Sequence, residues 1–168
     1  MLSAKLDEAR ERLQRLQLRR ALPPDVVQIE QLLVQFAAAG LVIQQSLDDL
    51  YDDLQKFWVA YEPSTAQVVA CAALQVYSAE WGELRSLAVA PALKDLGLGK
   101  DLMQRALQDA VHLKLRKVFV FTAIPPYFER QGFRAAVFDD IPSEVIERRR
   151  KLYGDTCMTK QILILKIK

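Results

Sequence analysis

The stretch from Glu83 to His112 constrains this chain more than any other. ELRSLAVA reads as a strand, breaks at Pro91, runs through Lys94-Asp-Leu-Gly97-Leu-Gly99-Lys100, and enters a segment with Leu98, Leu102, Ala106, Ala110 and Leu113 at helical spacing. A strand that feeds a helix through a glycine loop sends the helix back across a sheet, so the fold class is mixed α/β. The same junction suits an anion: glycines let the backbone approach closely and first-turn amides lack helical partners. The helix dipole adds about half a positive charge. Lys94 and Lys100 flank it with full charges.

Two familiar phosphate motifs do not fit. A P-loop needs Gly where Lys94 stands and Ser or Thr where Asp101 stands; a dinucleotide fingerprint needs a third glycine where Leu102 stands. Two glycines that merely shape a loop are the remaining alternative for the spacing alone.

Composition narrows the class. At 168 residues, 51% hydrophobic and 26% charged, the chain has the make-up of one globular domain. With 23 Lys+Arg against 21 Asp+Glu, it is too balanced for a partner held by its phosphate backbone. Arg148-Arg149-Arg150-Lys151 spreads around one helix behind Glu144 and Glu147 and reads as a solvated face, so no nucleic acid is expected. Cys71 and Cys157 are far apart, with no CxxC and a single histidine, His112, which reads as a surface residue. Neither a disulfide framework nor a metal site is expected. The opening KLDEARERLQRLQLRR has no apolar core of a signal peptide and no segment reads as a membrane span, so a cytoplasmic, soluble protein is expected.

Along the chain, Leu2, Leu6, Ala9, Leu13 and Leu16 predict an amphipathic helix over about the first fifteen residues. It reads as packed on its own domain, with a homodimer contact as the alternative. A strand begins near Leu16 to Arg20, Pro23-Pro24-Asp25 opens a helix that stops at Gly40, and Ser46 opens another with Asp48 and Asp49 in its first turn. Phe57 to Tyr61, Gln67 to Tyr77 and Glu83 to Ala90 read as an antiparallel meander. After the glycine-loop helix, KVFVFT is a buried strand, IPPYFERQG a short helix, Pro142 to Leu152 another, and QILILKIK a terminal strand.

From about Leu18 onward, the series strand, K-x-x-G-x-G, helix, KVFVFT and YFERQGF resembles the Gcn5-related N-acetyltransferase (GNAT) superfamily, with Lys94 where the family's loop carries Gln or Arg. SLDDLYDDLQKFWVAYE, ELRSLAV and the tail VFDDIPSEVIERRRKLYGDTCMTKQILILKI are similar to the amino-acid acetyltransferases of the N-acetylglutamate synthase type. The resemblance implies a mostly antiparallel sheet with helices on both faces and two central strands that splay apart. It implies acetyl-CoA as co-substrate without metal, and a small amino acid, glutamate or glutamine, as acceptor in arginine biosynthesis. It also implies a single domain over residues 1–168, the first helix (about 1–16) being an extension.

For the site, the resemblance implies backbone contacts to acetyl-CoA from Leu87, Ala88 and Val89. The loop of Lys94, Asp95, Leu96, Gly97, Leu98, Gly99 and Lys100 would hold the pyrophosphate, with Phe128 beside it. Attack on a thioester needs the amine as a free base. Glu83 is the implied proton acceptor, Thr122 the implied donor to the departing thiolate, and Tyr127 the reserve donor. Gln44, Gln45, Arg85, Ser86 and Lys160 form the implied substrate set. Gln44, Gln45, Thr159 and Lys160 stand where relatives that accept glutamate carry arginines, so a bidentate clamp there is not expected. The alternatives are acetylation of a protein N-terminus or other small amine, and a non-catalytic acyl-CoA-binding module. The module would be favoured by a Glu83 buried in an ion pair.

Overall fold

A computed structural model describes residues 1–38, 42–156 and 158–168. Seven strands form one sheet in the order β1 (Gln17–Arg20), β2 (Phe57–Glu62), β3 (Gln67–Val76), β4 (Trp81–Val89), β5 (Lys117–Thr122), β7 (Gln161–Lys166), β6 (Arg134–Ala136). All neighbours are antiparallel except β4 and β5. That pair is parallel because α4 (Leu98–His112) carries the chain between them. The helices are α1 (Leu2–Gln14), α2 (Val26–Ala38), α3 (Leu47–Asp52), α4, α5 (Pro125–Glu129) and α6 (Ser143–Tyr153).

Strand alternation divides the core into two faces. Val118, Val120, Leu163 and Leu84 pack with Met103, Ala106 and Ala110 of α4. On the opposite face Phe119, Phe121 and Ile162 pack with Val145 and Ile146 of α6, and Val59, Cys71 and Ala73 pack with Ile29 and Leu33 of α2. Both faces of β5 are therefore covered, which is why its apolar run is continuous.

The expected elements are present, with boundaries moved by a residue or two. Ser46 caps α3, its Oγ accepting from the Asp49 amide at 3.1 Å. The expected helix stop at Gly40 and the thiol of Cys157 lie outside the described residues. Strand β6 was not expected: three residues between Gly132 and the Phe138–Asp140 turn give no alternation to read. In α1, Ala9 and Leu13 pack beside Leu93 and Leu98, and Arg12 binds Glu62 through two bonds of 2.9 and 3.0 Å. Leu2 and Leu6 remain exposed.

The solvated-face reading of the basic run is corrected at one residue. Arg148, Arg150 and Lys151 are exposed, but Arg149 is only 1% exposed. Arg149 follows Val145 by four residues and Ile146 by three, so it projects from the apolar stripe of α6 into the core.

Candidate active site

The lone parallel pair opens. β4 and β5 pair only from Trp81 to Glu83 against Lys117 to Phe119. Beyond that point a bulge inserts one extra residue into β4: Ala73 faces Arg85, whereas Cys71 faces Ala88. Ser86 takes φ 56° there, a left-handed conformation costing a residue with a side chain about 1–3 kcal/mol. It is held by Cys71, whose thiol donates to the Ser86 carbonyl at 3.3 Å, and by Arg85, which donates to its Oγ at 3.1 Å. Burial pushes the Cys71 thiol up to about 12, so it stays protonated as a donor. The bulge turns β4 away from β5, as the resemblance implied.

Between the separated strands lies a cavity whose wall includes Arg85, Ser86, Leu87, Lys94, Thr122 and Tyr127, with Phe128 behind them. The Ala90 amide bonds the Val69 carbonyl at 2.8 Å. By alternation Leu87 and Val89 then turn their amides to the gap, and Ala88 turns its amide to β3. Of the three residues expected to serve the ligand, Leu87 and Val89 are the two whose amides face the gap.

At the cavity's outer end, Asp95 (φ 62°) and Gly97 (φ 87°) curl the loop into α4. Among the described residues, the amides from Asp95 to Lys100 donate to no group of the chain. Such a row of free amides at a helix start is what a pyrophosphate needs. Gly97 is required by its positive φ, and Gly99 by proximity: a Cβ there would lie 2.9 Å from the Tyr127 hydroxyl and 3.5 Å from Val89 Cγ2. Gly99→Val should therefore raise the dissociation constant for acetyl-CoA about tenfold or more, measured by calorimetry on the folded variant, because its branched side chain displaces Tyr127 and covers the amides.

Tyr127 thus carries its hydroxyl to the glycine loop, and burial raises its pKa. Phe128 packs edge-on against Phe133 in the core. Thr122 is 5% exposed at the end of β5; its Oγ1 accepts from the Ile124 amide at 2.9 Å, leaving its own proton to donate into the cavity.

Glu83 stands where the strands part, but it is 2% exposed. Arg149 Nε donates to both of its oxygens at 3.1 Å, and the Tyr77 hydroxyl donates to Oε1 at 2.7 Å. Burial, then the charge of Glu83, raises the Tyr77 pKa, keeping it a donor. The buried ion pair at Glu83 that would favour a non-catalytic module is therefore present. Neither Arg149 nor Tyr77 was foreseen; the spacing of Arg149 on α6 was the available signal, and nothing local marked Tyr77.

The expected substrate set is only partly brought together. Gln44 is exposed, and with Gln45 it lines a separate cavity beside Asp49, Asp52, Asp53 and Tyr153. Gln45 is not a free amide: its Nε2 donates to Asp53 at 2.8 Å and its Oε1 accepts from Arg85 at 2.8 Å. Arg85 is buried against the rings of Phe57 and Tyr153 and bound to Gln45, Ser86 and Asp53, and its Nε has no partner among the described residues. Lys160 precedes Gln161, which pairs with Thr122, and its buried Nζ has no partner among the described residues. No group of three or more His, Cys, Asp or Glu among the described residues is placed to hold a metal ion, and no helix there is long and apolar enough to cross a membrane.

Comparison with known proteins agrees with this geometry. Residues 53–135 match the family described as acetyltransferase (GNAT) domain. An amino-acid acetyltransferase of Mycobacterium tuberculosis is 37% identical over 137 residues, 81% of this chain and 78% of that protein. The crystal structure of Rv2747 from Mycobacterium tuberculosis, in complex with CoA and NLQ, superposes with a TM-score of 0.80 at 32% identity, over 90% of this chain and 99% of that one. N-acetylglutamate synthase of Neisseria gonorrhoeae, complexed with coenzyme A and N-acetyl-glutamate, shares the fold with a TM-score of 0.79 at 22% identity; this chain covers 35% of its length. A splayed parallel pair, a free-amide loop at its mouth and these similarities place the chain among the GNAT acetyltransferases, as an acetyl-CoA-dependent amino-acid N-acetyltransferase.

Proposed function

We propose that the acceptor is glutamate or glutamine, acetylated on its α-amine by direct attack, with residues 1–168 acting as one catalytic domain extended by α1. The observation that carries this is the buried, unpartnered Nε of Arg85 in the wall of the cavity between the strands. A guanidinium whose other donors are held offers its remaining edge to a carboxylate. Arg149 of α6 and Lys160, whose buried Nζ has no partner among the described residues, add positive charge, while Glu83 pairs with Arg149 and Asp53 with Arg85. Such a reaction makes an acetylated amino acid, the kind of product arginine biosynthesis uses.

In this reading, when acetyl-CoA is bound it supplies the thioester. The free amides of Asp95 to Lys100 and the Tyr127 hydroxyl hold its phosphates, and the Leu87 and Val89 amides hold its arm. Tyr127 thereby becomes a binding residue instead of a reserve acid. Thr122 donates a proton to the departing thiolate. Glu83 takes the amine proton through a water at Oε2, which among the described residues accepts only from Arg149. The buried Glu83–Arg149 pair is the feature that favours a non-catalytic module, and against it stands the 37% identity to an amino-acid acetyltransferase.

The test is acetyl-CoA consumption across an amino-acid panel. Efficient turnover of glutamate or glutamine, with little for amines lacking an α-carboxylate, is the expected result; equal turnover of such amines would move the reading to a protein N-terminus or small amine. Lys160→Ala should raise the acceptor KM while acetyl-CoA affinity stays nearly constant, the pattern of lost ground-state binding. The increase should be larger for glutamate if Lys160 meets the side-chain carboxylate.

A further inference from the structure

We propose that Asp53 is a positioning residue: with Gln45 it clamps Arg85 so that a single edge of the guanidinium faces the acceptor. This rests on the reading of Arg85 as the carboxylate anchor. Asp53 follows α3, 15% exposed, and its two oxygens are shared among three donors. Oδ1 accepts from Lys56 Nζ at 2.6 Å; Oδ2 accepts from Gln45 Nε2 at 2.8 Å and from Arg85 Nη2 at 3.0 Å. Burial alone raises its pKa, but hydrogen bonds from Lys56 and Gln45 and the charge of Arg85 outweigh burial and hold the carboxyl below its usual value.

The consequence lies in the amide of Gln45. Because Asp53 has only acceptors to offer, Gln45 must present its NH2 to Asp53 and its carbonyl oxygen to Arg85. Arg85 Nη1 is then fixed by Gln45 and Ser86, and Nη2 by Asp53. Tyr153 lies over the guanidinium with its ring centre 4.7 Å away, and its hydroxyl donates to Gln75 Oε1, which also accepts from Lys56 at 2.7 Å. These contacts hold Nη1 and Nη2, and Nε is the guanidinium nitrogen without a partner among the described residues. A fork held this way binds a carboxylate without first losing side-chain freedom.

The sign of one substitution separates this role from simple electrostatics. Asp53 is a negative charge beside an anion site, so if charge alone mattered, Asp53→Asn would lower the acceptor KM. If Asp53 positions Arg85, Asn removes the charge that anchors the guanidinium and sets an NH2 against either Lys56 or the Gln45 and Arg85 donors, so in both orientations Arg85 is held less firmly.

The experiment measures acceptor KM and kcat, acetyl-CoA affinity, and the Arg85 Nε–H resonance, assigned by its loss in Arg85→Lys. The expected result for Asp53→Asn is an acceptor KM raised about ten- to a hundredfold, acetyl-CoA affinity within twofold, and a broadened Arg85 resonance. Asp53→Glu should fall between wild type and Asp53→Asn. A lowered or unchanged KM would overturn the clamp. Should Asp53→Asn not fold, Gln45→Met carries the same test, and an unchanged KM there would overturn it. Wild-type protein that turns over carboxylate-free amines as well as glutamate would overturn the proposed acceptor; a wild-type preference for the carboxylate with unmoved variants would overturn the clamp alone.

Discussion

Glu83→Gln should cost the protein about 3–5 kcal/mol, because it leaves the Arg149 guanidinium buried without its counter-charge. For a chain of this size that is a fall in melting temperature of roughly 6–20 °C, read by calorimetry. Turnover should fall by roughly 10²–10⁴, the range for losing a general base, with partial recovery at alkaline pH where free amine is abundant. The two losses can be separated. Glu83→Gln with Arg149→Met replaces the stranded cation with an apolar side chain beside Phe121 and should restore most of the melting temperature. Turnover that stays low in the double variant, with alkaline recovery, is the expected outcome and identifies Glu83 as the proton acceptor. Turnover that returns together with stability would make the Glu83–Arg149 pair a structural brace.

Arg85→Lys should lower kcat/KM for the amino acid by about 10²–10³ while acetyl-CoA binds within twofold of wild type. The charge is kept, but the fork is lost: an ammonium cannot serve Gln45, Ser86 and Asp53 and still offer a second edge to a carboxylate. The loss should be mainly in the acceptor KM, because the α-carboxylate is gripped in ground state and transition state alike. Steady-state kinetics with the acceptor varied at saturating acetyl-CoA make the test. A variant with a normal acceptor KM would show that Arg85 braces the bulge at Ser86 without touching the substrate.

Local chemistry made the scaffold and an anion-binding loop legible in the sequence, and the family resemblance supplied acetyl-CoA as the ligand expected there. Gly97 needs a positive φ, Gly99 leaves no room for a side chain, and α4 follows at helical spacing, so the anion loop is written in consecutive residues. A continuous apolar run marked β5 for the same local reason. The acceptor end was not legible, because its parts lie far apart in the chain and their roles depend on which ones meet. Arg85 and Asp53 are 32 residues apart, and Arg149 and Glu83 are 66 apart. The family resemblance implied a proton acceptor at Glu83 and a substrate contact at Gln45, without their partners. A buried charge or amide must find a partner, and folding supplied Arg149 to the first and Asp53 with Arg85 to the second. Sequence determined where the helices, the glycine loop and every strand but the three-residue β6 form. Tertiary structure decided which polar groups remained unpaired for a substrate, since burial is a property of the packed chain and of no segment within it.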